Sequence, residues 1–150
     1  MNYIVDFFTN RILISSLLAM AIAQSLKIIT FLMKNKHLDF KPIFSNGGMP
    51  SSHSSFVMCM TTGIGLTEGF NSPLFAACLV VSLIIMQDAA GIRRSAGDQA
   101  KILNKLVKKW SEHEPISLDK GLKELVGHTP IQVLAGALLG VSIAFISKLI

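Results

Sequence analysis

Gly47-Gly48-Met49-Pro50-Ser51-Ser52-His53 is a small, polar, flexible stretch that opens directly into an apolar run. Its two glycines give the backbone conformations that other residues resist. Pro50 fixes φ near a helical value and suits a first turn, and Ser51 or Ser52 can cap that turn. A helix start of this kind carries N–H donors without intrahelical acceptors, a natural seat for an anion, with a histidine beside it. The stretch reads as the head of a helix and as half of a phosphate site. Its counterpart is Gly127-His128-Thr129-Pro130, where Thr129 is the cap and Pro130 the first-turn residue.

The apolar run behind each head decides the fold class. The 150 residues suit one domain (1–150), and 51% of them are apolar against 15% charged, with a mean hydropathy of +0.54. The apolar residues fall in long runs, and about 20 such residues cross a bilayer. Four runs qualify as spans: Ile12 to Met33, the shorter Ser54 to Phe70, Leu74 to Met86, and Pro130 to Ile150. Met1 to Arg11 is a lead-in with Tyr3, Phe7 and Phe8 suited to the interface. Ala96 to Trp110 reads as a helix lying in the interface, with Ile102, Leu103, Leu106, Val107 and Trp110 on one face and Lys101, Lys105, Lys108 and Lys109 on the other. A short helix begins at Ser117, with Leu118, Leu122, Leu125 and Val126 as its stripe and Gly127 as its end. The expected fold is an all-α integral membrane bundle of about four transmembrane helices plus short interfacial helices.

The net charge of +5 does not indicate nucleic acid, because the basic residues are not interleaved with aromatics. They cluster between apolar runs, as loops at an anionic cytoplasmic face do. Lys34, Lys36, Lys41 and the basic residues from Arg93 to Lys123 fall on one side of four spans, with Arg11 and Lys148 opposite. That places both polar loops at the cytoplasmic face of a bacterial inner (plasma) membrane, with the N-terminus outside. Cys59 and Cys78 sit inside apolar runs without ligand-like spacing and read as buried thiols. Gly136, Gly140 and Ala144 form a small-residue stripe that permits close helix approach, within the chain or as a seam between copies.

The same topology brings His53, His128, Arg93 and Arg94 to one membrane face. Gln24 and Lys27 lie within the first span and should face the bundle interior, where Lys27 either ligates phosphate or pairs with Asp88. These parts suit phosphate-ester chemistry. Arginine forks and helix N-termini neutralise the anion, a neutral imidazole attacks phosphorus, and a protonated one delivers a proton to the departing oxygen. The scheme requires no metal and no cofactor.

Pro50-Ser51-Ser52-His53 and Gly127-His128-Thr129-Pro130-Ile131-Gln132-Val133 together resemble the type 2 phosphatidic acid phosphatase superfamily, which includes the vanadium haloperoxidases. The fuller pattern is similar to its small divergent membrane branch. It takes in Ala23-Gln24 with Lys27, Gly47 to His53, Asp88 to Arg94, Gly97 to Ala100 with Leu103-Asn104, and Leu125 to Val133. The resemblance implies a phosphohistidine intermediate on His128, proton donation by His53, and phosphate binding by Ser51 and Ser52 with Arg93 or Arg94. The implied substrate is a membrane lipid bearing a phosphate or diphosphate, phosphatidate-like or isoprenyl.

Three departures stand out. Gln132 replaces the aspartate usual four residues after the nucleophile, so it can orient the imidazole but cannot stabilise an imidazolium as a carboxylate would. Asp88 is the candidate to supply that charge. Leu122 stands where an arginine is expected, and the first motif survives loosely as Lys34 through Lys41-Pro42. An alternative is therefore a non-catalytic binder of lipid phosphates with a degenerate site. A structural or transport subunit is a third reading, disfavoured by the two histidines at one face.

Overall fold

Each long helix starts where a short polar side chain can satisfy an orphan N–H. The computed structural model describes residues 2–36, 48–111 and 127–149, apart from the side chains of residues 34, 35, 93, 94, 110 and 111. Within these, α1 spans Tyr3–Phe8, α2 Arg11–Asn35, α3 Ser52–Glu68, α4 Pro73–Ala90, α5 Ile92–Ser111 and α6 Pro130–Leu149, with no strand. Asn10 caps α2 by accepting from Leu13 N at 3.0 Å, and Ser51 caps α3 by accepting from Ser54 N at 3.4 Å. Ser72 caps α4 with Pro73 in the first turn, accepting from Phe75 N at 3.2 Å. Gly47, Lys41-Pro42 and the short helix around Leu122 lie outside the described residues.

The chain is an all-α membrane bundle. Three stretches are long and apolar enough to cross a membrane: Arg11–Met33, Pro73–Lys109 and Pro130–Leu149. The remaining expected span is α3, which runs between the same two ends of the bundle but is shorter. Helix α3 has 17 residues, about 26 Å of rise against a hydrocarbon core of ~30 Å. Its serines, threonines and glycines also lower its apolarity, a composition tolerable because α2, α4 and α6 all pack on it.

The seams are built from small side chains, as expected where lipid removes the hydrophobic drive between helices. Ala19, Cys59 and Ala144 meet at the centre. A Cβ on Gly136 would overlap the Ser51 carbonyl oxygen, and one on Gly140 the Ser55 carbonyl oxygen. The small-residue stripe of α6 is therefore occupied by α3 of the same chain. Gly136 and Gly140 do not present a seam to a second copy.

Buried hydroxyls find partners across these seams. Ser55 Oγ donates to the Ala19 carbonyl of α2 at 3.1 Å. Thr61 and Ser82 share a hydrogen bond of 2.7 Å between α3 and α4, and Ser82 Oγ also reaches the Val57 carbonyl at 3.3 Å. Such bonds contribute on average about 0.6 kcal/mol each in a membrane. Their greater effect is to fix register.

Helices α3 and α6 run parallel, with Ser51 opposite Gly136 and Ser55 opposite Gly140. Helix α2 runs antiparallel to α3, since Lys27 lies by Ser52 while Ile12 lies by Gly63. The heads of α3 and α6 thus share one end with the C-terminal ends of α2 and α4. At the other end Lys148 Nζ donates to the Leu66 carbonyl at 2.9 Å, satisfying an acceptor in the last turn of α3.

Helix α5 starts at Ile92, not at Ala96, because a single residue interrupts the helical path. Gly91 adopts φ −105° and ψ −80°, yet its N–H still bonds the Gln87 carbonyl at 2.8 Å. Arg93 and Arg94 therefore stand in the first turn of α5 rather than closing the third span. Ile102, Leu103 and Leu106 are exposed on α5, as an interfacial helix requires.

Candidate active site

The heads of α3 and α6 are tied together by backbone. Ser51 N–H donates to the Gln132 carbonyl at 3.0 Å, just above the contact at Gly136. The turn before α6 is pinned to α4, where His128 N–H donates to the Ala89 carbonyl at 3.0 Å. The segment before α3 is pinned to α2 through Thr30 Oγ1, which donates to the Met49 carbonyl at 2.8 Å. Gly48 sits at φ +100°, in the region that favours glycine, with the stem of Lys27 beside it. Four elements therefore converge on one point.

His128 lies at that point and is only 2% exposed. Its Nδ1 is 3.3 Å from Gln132 Oε1, which also accepts the Thr129 N–H at 3.0 Å. Thr129 Oγ1 in turn accepts the Gln132 N–H at 3.4 Å. This is a capping box at the head of α6, and it settles a question of protons. The backbone N–H of Thr129 demands an oxygen, so oxygen is the atom that Gln132 turns toward the ring. Nδ1 must then carry the hydrogen, and Nε2 holds the lone pair. Nε2 is buried without a hydrogen-bond partner among the described residues. An unsatisfied buried nitrogen calls for an explanation.

The surroundings favour the neutral ring. Burial pushes the His128 pKa below the ordinary histidine value, and the Gln132 hydrogen bond partly opposes this. The charges of Lys27 and His53 push it further down, while the Gly48 backbone carbonyl, near the ring but outside hydrogen-bond geometry, raises it. Both basic groups are thus close enough to be felt at the imidazole. His53 itself is exposed, on the first turn of α3.

Lys27 is 2% exposed, and its Nζ donates to Ser52 Oγ at 3.4 Å. It lies eight residues before the end of α2 (27 to 35), which sets it roughly 12 Å below that end. Of the two serines expected to bind phosphate, Ser52 faces Lys27. Ser51 is fully buried and serves as the cap, accepting from Ser54 N and from Ser54 Oγ at 3.0 Å.

Of the residues singled out in the sequence, His128, Gln132, Lys27, Ser52 and His53 come together. Asp88 is half-buried next to Ala89, whose carbonyl accepts the His128 N–H, while Gln132 Oε1 faces the ring's Nδ1. The backbone of Arg93 and Arg94 enters α5 at the same end of the bundle, and their side chains lie outside the described atoms. One contributor escaped the sequence reading, Thr30, whereas Gly48 belongs to the stretch it began from. The signal for Thr30 was its place three residues after Lys27, on the same helical face.

Among the described residues, no cluster of His, Cys, Asp and Glu could hold a metal ion. One end of the bundle thus gathers a buried imidazole, a buried lysine, two helix heads and the exposed imidazole of His53. Helix heads and a basic side chain at one end are an electrostatic environment that favours an anion.

Residues 8–143 match the model of the divergent PAP2 family. The chain is 39% identical over 151 residues to the uncharacterized membrane protein YuiD of Bacillus subtilis (strain 168), covering 94% of this chain and 96% of that protein. No solved structure matches the chain. With the family model covering residues 8–143, most of the chain and both helix heads, the chain belongs to the divergent PAP2 family.

Proposed function

We propose that the protein hydrolyses a phosphate or diphosphate from a membrane lipid through a phosphohistidine on His128. The supporting observation is the buried, unpartnered Nε2 of His128 beside Lys27. Nε2 attacks phosphorus, the bond from phosphorus to the lipid oxygen breaks, and His53 gives that oxygen its proton. Water then attacks the phosphohistidine with His53 as base, releasing phosphate and freeing His128. Lys27, Ser52 and the heads of α3 and α6 hold the negative charge, with Arg93 or Arg94 as further ligands. The site belongs at the cytoplasmic face of the bacterial inner membrane, where a head group meets it while the tail stays in the bilayer.

One observation favours a second reading. Gln132 is neutral, so the imidazolium of a working acid–base cycle would lack a carboxylate beside it. A chain that binds lipid phosphates without turning them over is the alternative. Phosphate release from a panel of lipid phosphates separates the two when binding is measured alongside. Turnover is expected in the wild type and background rates in His128→Ala. His53→Ala should lose about 10²–10⁴-fold, the usual contribution of a general acid. Binding without turnover in the wild type selects the alternative.

A further inference from the structure

Helix α3 is covered on three sides. Ser52 and Ser55 face α2, the backbone at Ser51 and Ser55 faces α6, and Val57, Thr61 and Gly65 face α4. His53, Phe56, Met60 and Ile64 recur at the three- and four-residue spacing of one helical face, and they lie on the fourth side. His53 is exposed and the other three are half-buried, so the stripe is recessed rather than proud. Helices α2 and α4 flank it and, among the described residues, have no extensive contact with each other. Toward α2 the stripe opens into a hollow of about 260 Å³, walled by Phe56, Met60 and Ile64 with Ile12, Leu13 and Ser16, and with Asn10 at the start of α2.

We propose that this stripe seats the hydrocarbon tail of the substrate, and that the substrate carries its phosphate directly on the alcohol of a long chain. The inference rests on the phosphatase reading, through the geometry of displacement. A bond forms between His128 Nε2 and phosphorus while the bond from phosphorus to the lipid oxygen breaks on the opposite side. That oxygen takes the proton of His53, so the chain attached to it leaves along the face of α3 that bears His53. The face continues as Phe56, Met60 and Ile64. From His53 to Ile64 is eleven residues (53 to 64), a rise of roughly 16 Å, more than half of the ~30 Å hydrocarbon core. A long tail fills this path, and a short one leaves the hollow near Ile64 empty.

The test uses the full chain in lipid nanodiscs and a long-chain alkyl phosphate with a photoreactive group near the end of its tail. The expected result is labelling concentrated on Phe56, Met60 and Ile64. Met60→Trp, which fills the stripe, should then lower kcat/KM for long-chain alkyl phosphates about tenfold. It should leave a short, water-soluble alkyl phosphate unaffected, which also shows that the variant folds. Labelling spread evenly over the lipid-facing residues of α2, α4 and α6, or crosslinking between two copies through the stripe, overturns the proposal. So does an equal loss on short and long substrates. Labelling needs no turnover: label on the stripe without hydrolysis keeps the tail seat and overturns the phosphatase reading, whereas hydrolysis with spread label does the reverse.

Discussion

At His128 the chemistry turns on one hydrogen. Gln132 holds it on Nδ1, and burial keeps the ring neutral. The acid limb of the pH–rate profile should therefore fall below the ordinary histidine value of about 6.5. The same shift has a stability consequence of fixed sign. Folding resists protonation of this ring, so its contribution is full above about pH 6.5 and is lost as pH falls from there through the lower folded-state value. Gln132→Glu keeps an acceptor for Thr129 N–H and adds a carboxylate, which should move the acid limb to higher pH. Gln132→Ala removes both contacts; losing the hydrogen bond that raises the His128 pKa should move the acid limb to still lower pH, and the lost cap should cost about 0.5–2 kcal/mol of stability, read by thermal unfolding in detergent. Lys27→Met separates binding from folding, because it removes a buried charge with little change in volume. Phosphate affinity should fall while thermal stability holds or rises.

The helix heads owe their position to two glycines that the sequence displayed as a stripe and the fold uses internally. Gly136→Val would drive a side chain into the Ser51 carbonyl, separating α3 from α6 at the level of the site. A loss of about 1–3 kcal/mol is expected from such overpacking, together with loss of turnover. A similar substitution on the lipid-facing side of α6, Leu138→Val, should do neither. Both helix heads were legible in the sequence because capping is local: Pro50-Ser51-Ser52 and Thr129-Pro130 announce themselves within four residues. The start of α5 was not, since one non-helical glycine at position 91 interrupts the path without ending it. Nor was the role of α3. Its Ser and Thr content reads as a weak span until Ser82 and Ala19 are seen to satisfy Thr61 and Ser55 from neighbouring helices.

For the molecule as a whole, topology does the gathering. Parallel α3 and α6, with antiparallel α2 and α4, bring His53, His128, Lys27 and Ser52 to one end from widely separated parts of the chain. The meeting of the two histidines came from counting spans, because each heads an apolar run on the same side. The contact of Gln132 with the ring was equally legible, because a four-residue spacing places the two one helical turn apart; the capping box that turns its oxygen toward Nδ1 was not. The orientation in the membrane makes its own prediction: a tag at the N-terminus should be reachable from outside intact cells, and a cysteine placed beside Lys101 on α5 should not. The central claim is tested most directly by rapid quenching during turnover of a lipid phosphate labelled with radioactive phosphorus. An acid-labile, alkali-stable label on the peptide containing His128, absent in His128→Asn, is the predicted result. Turnover with no label on that peptide, or turnover that persists in His128→Asn, would contradict it.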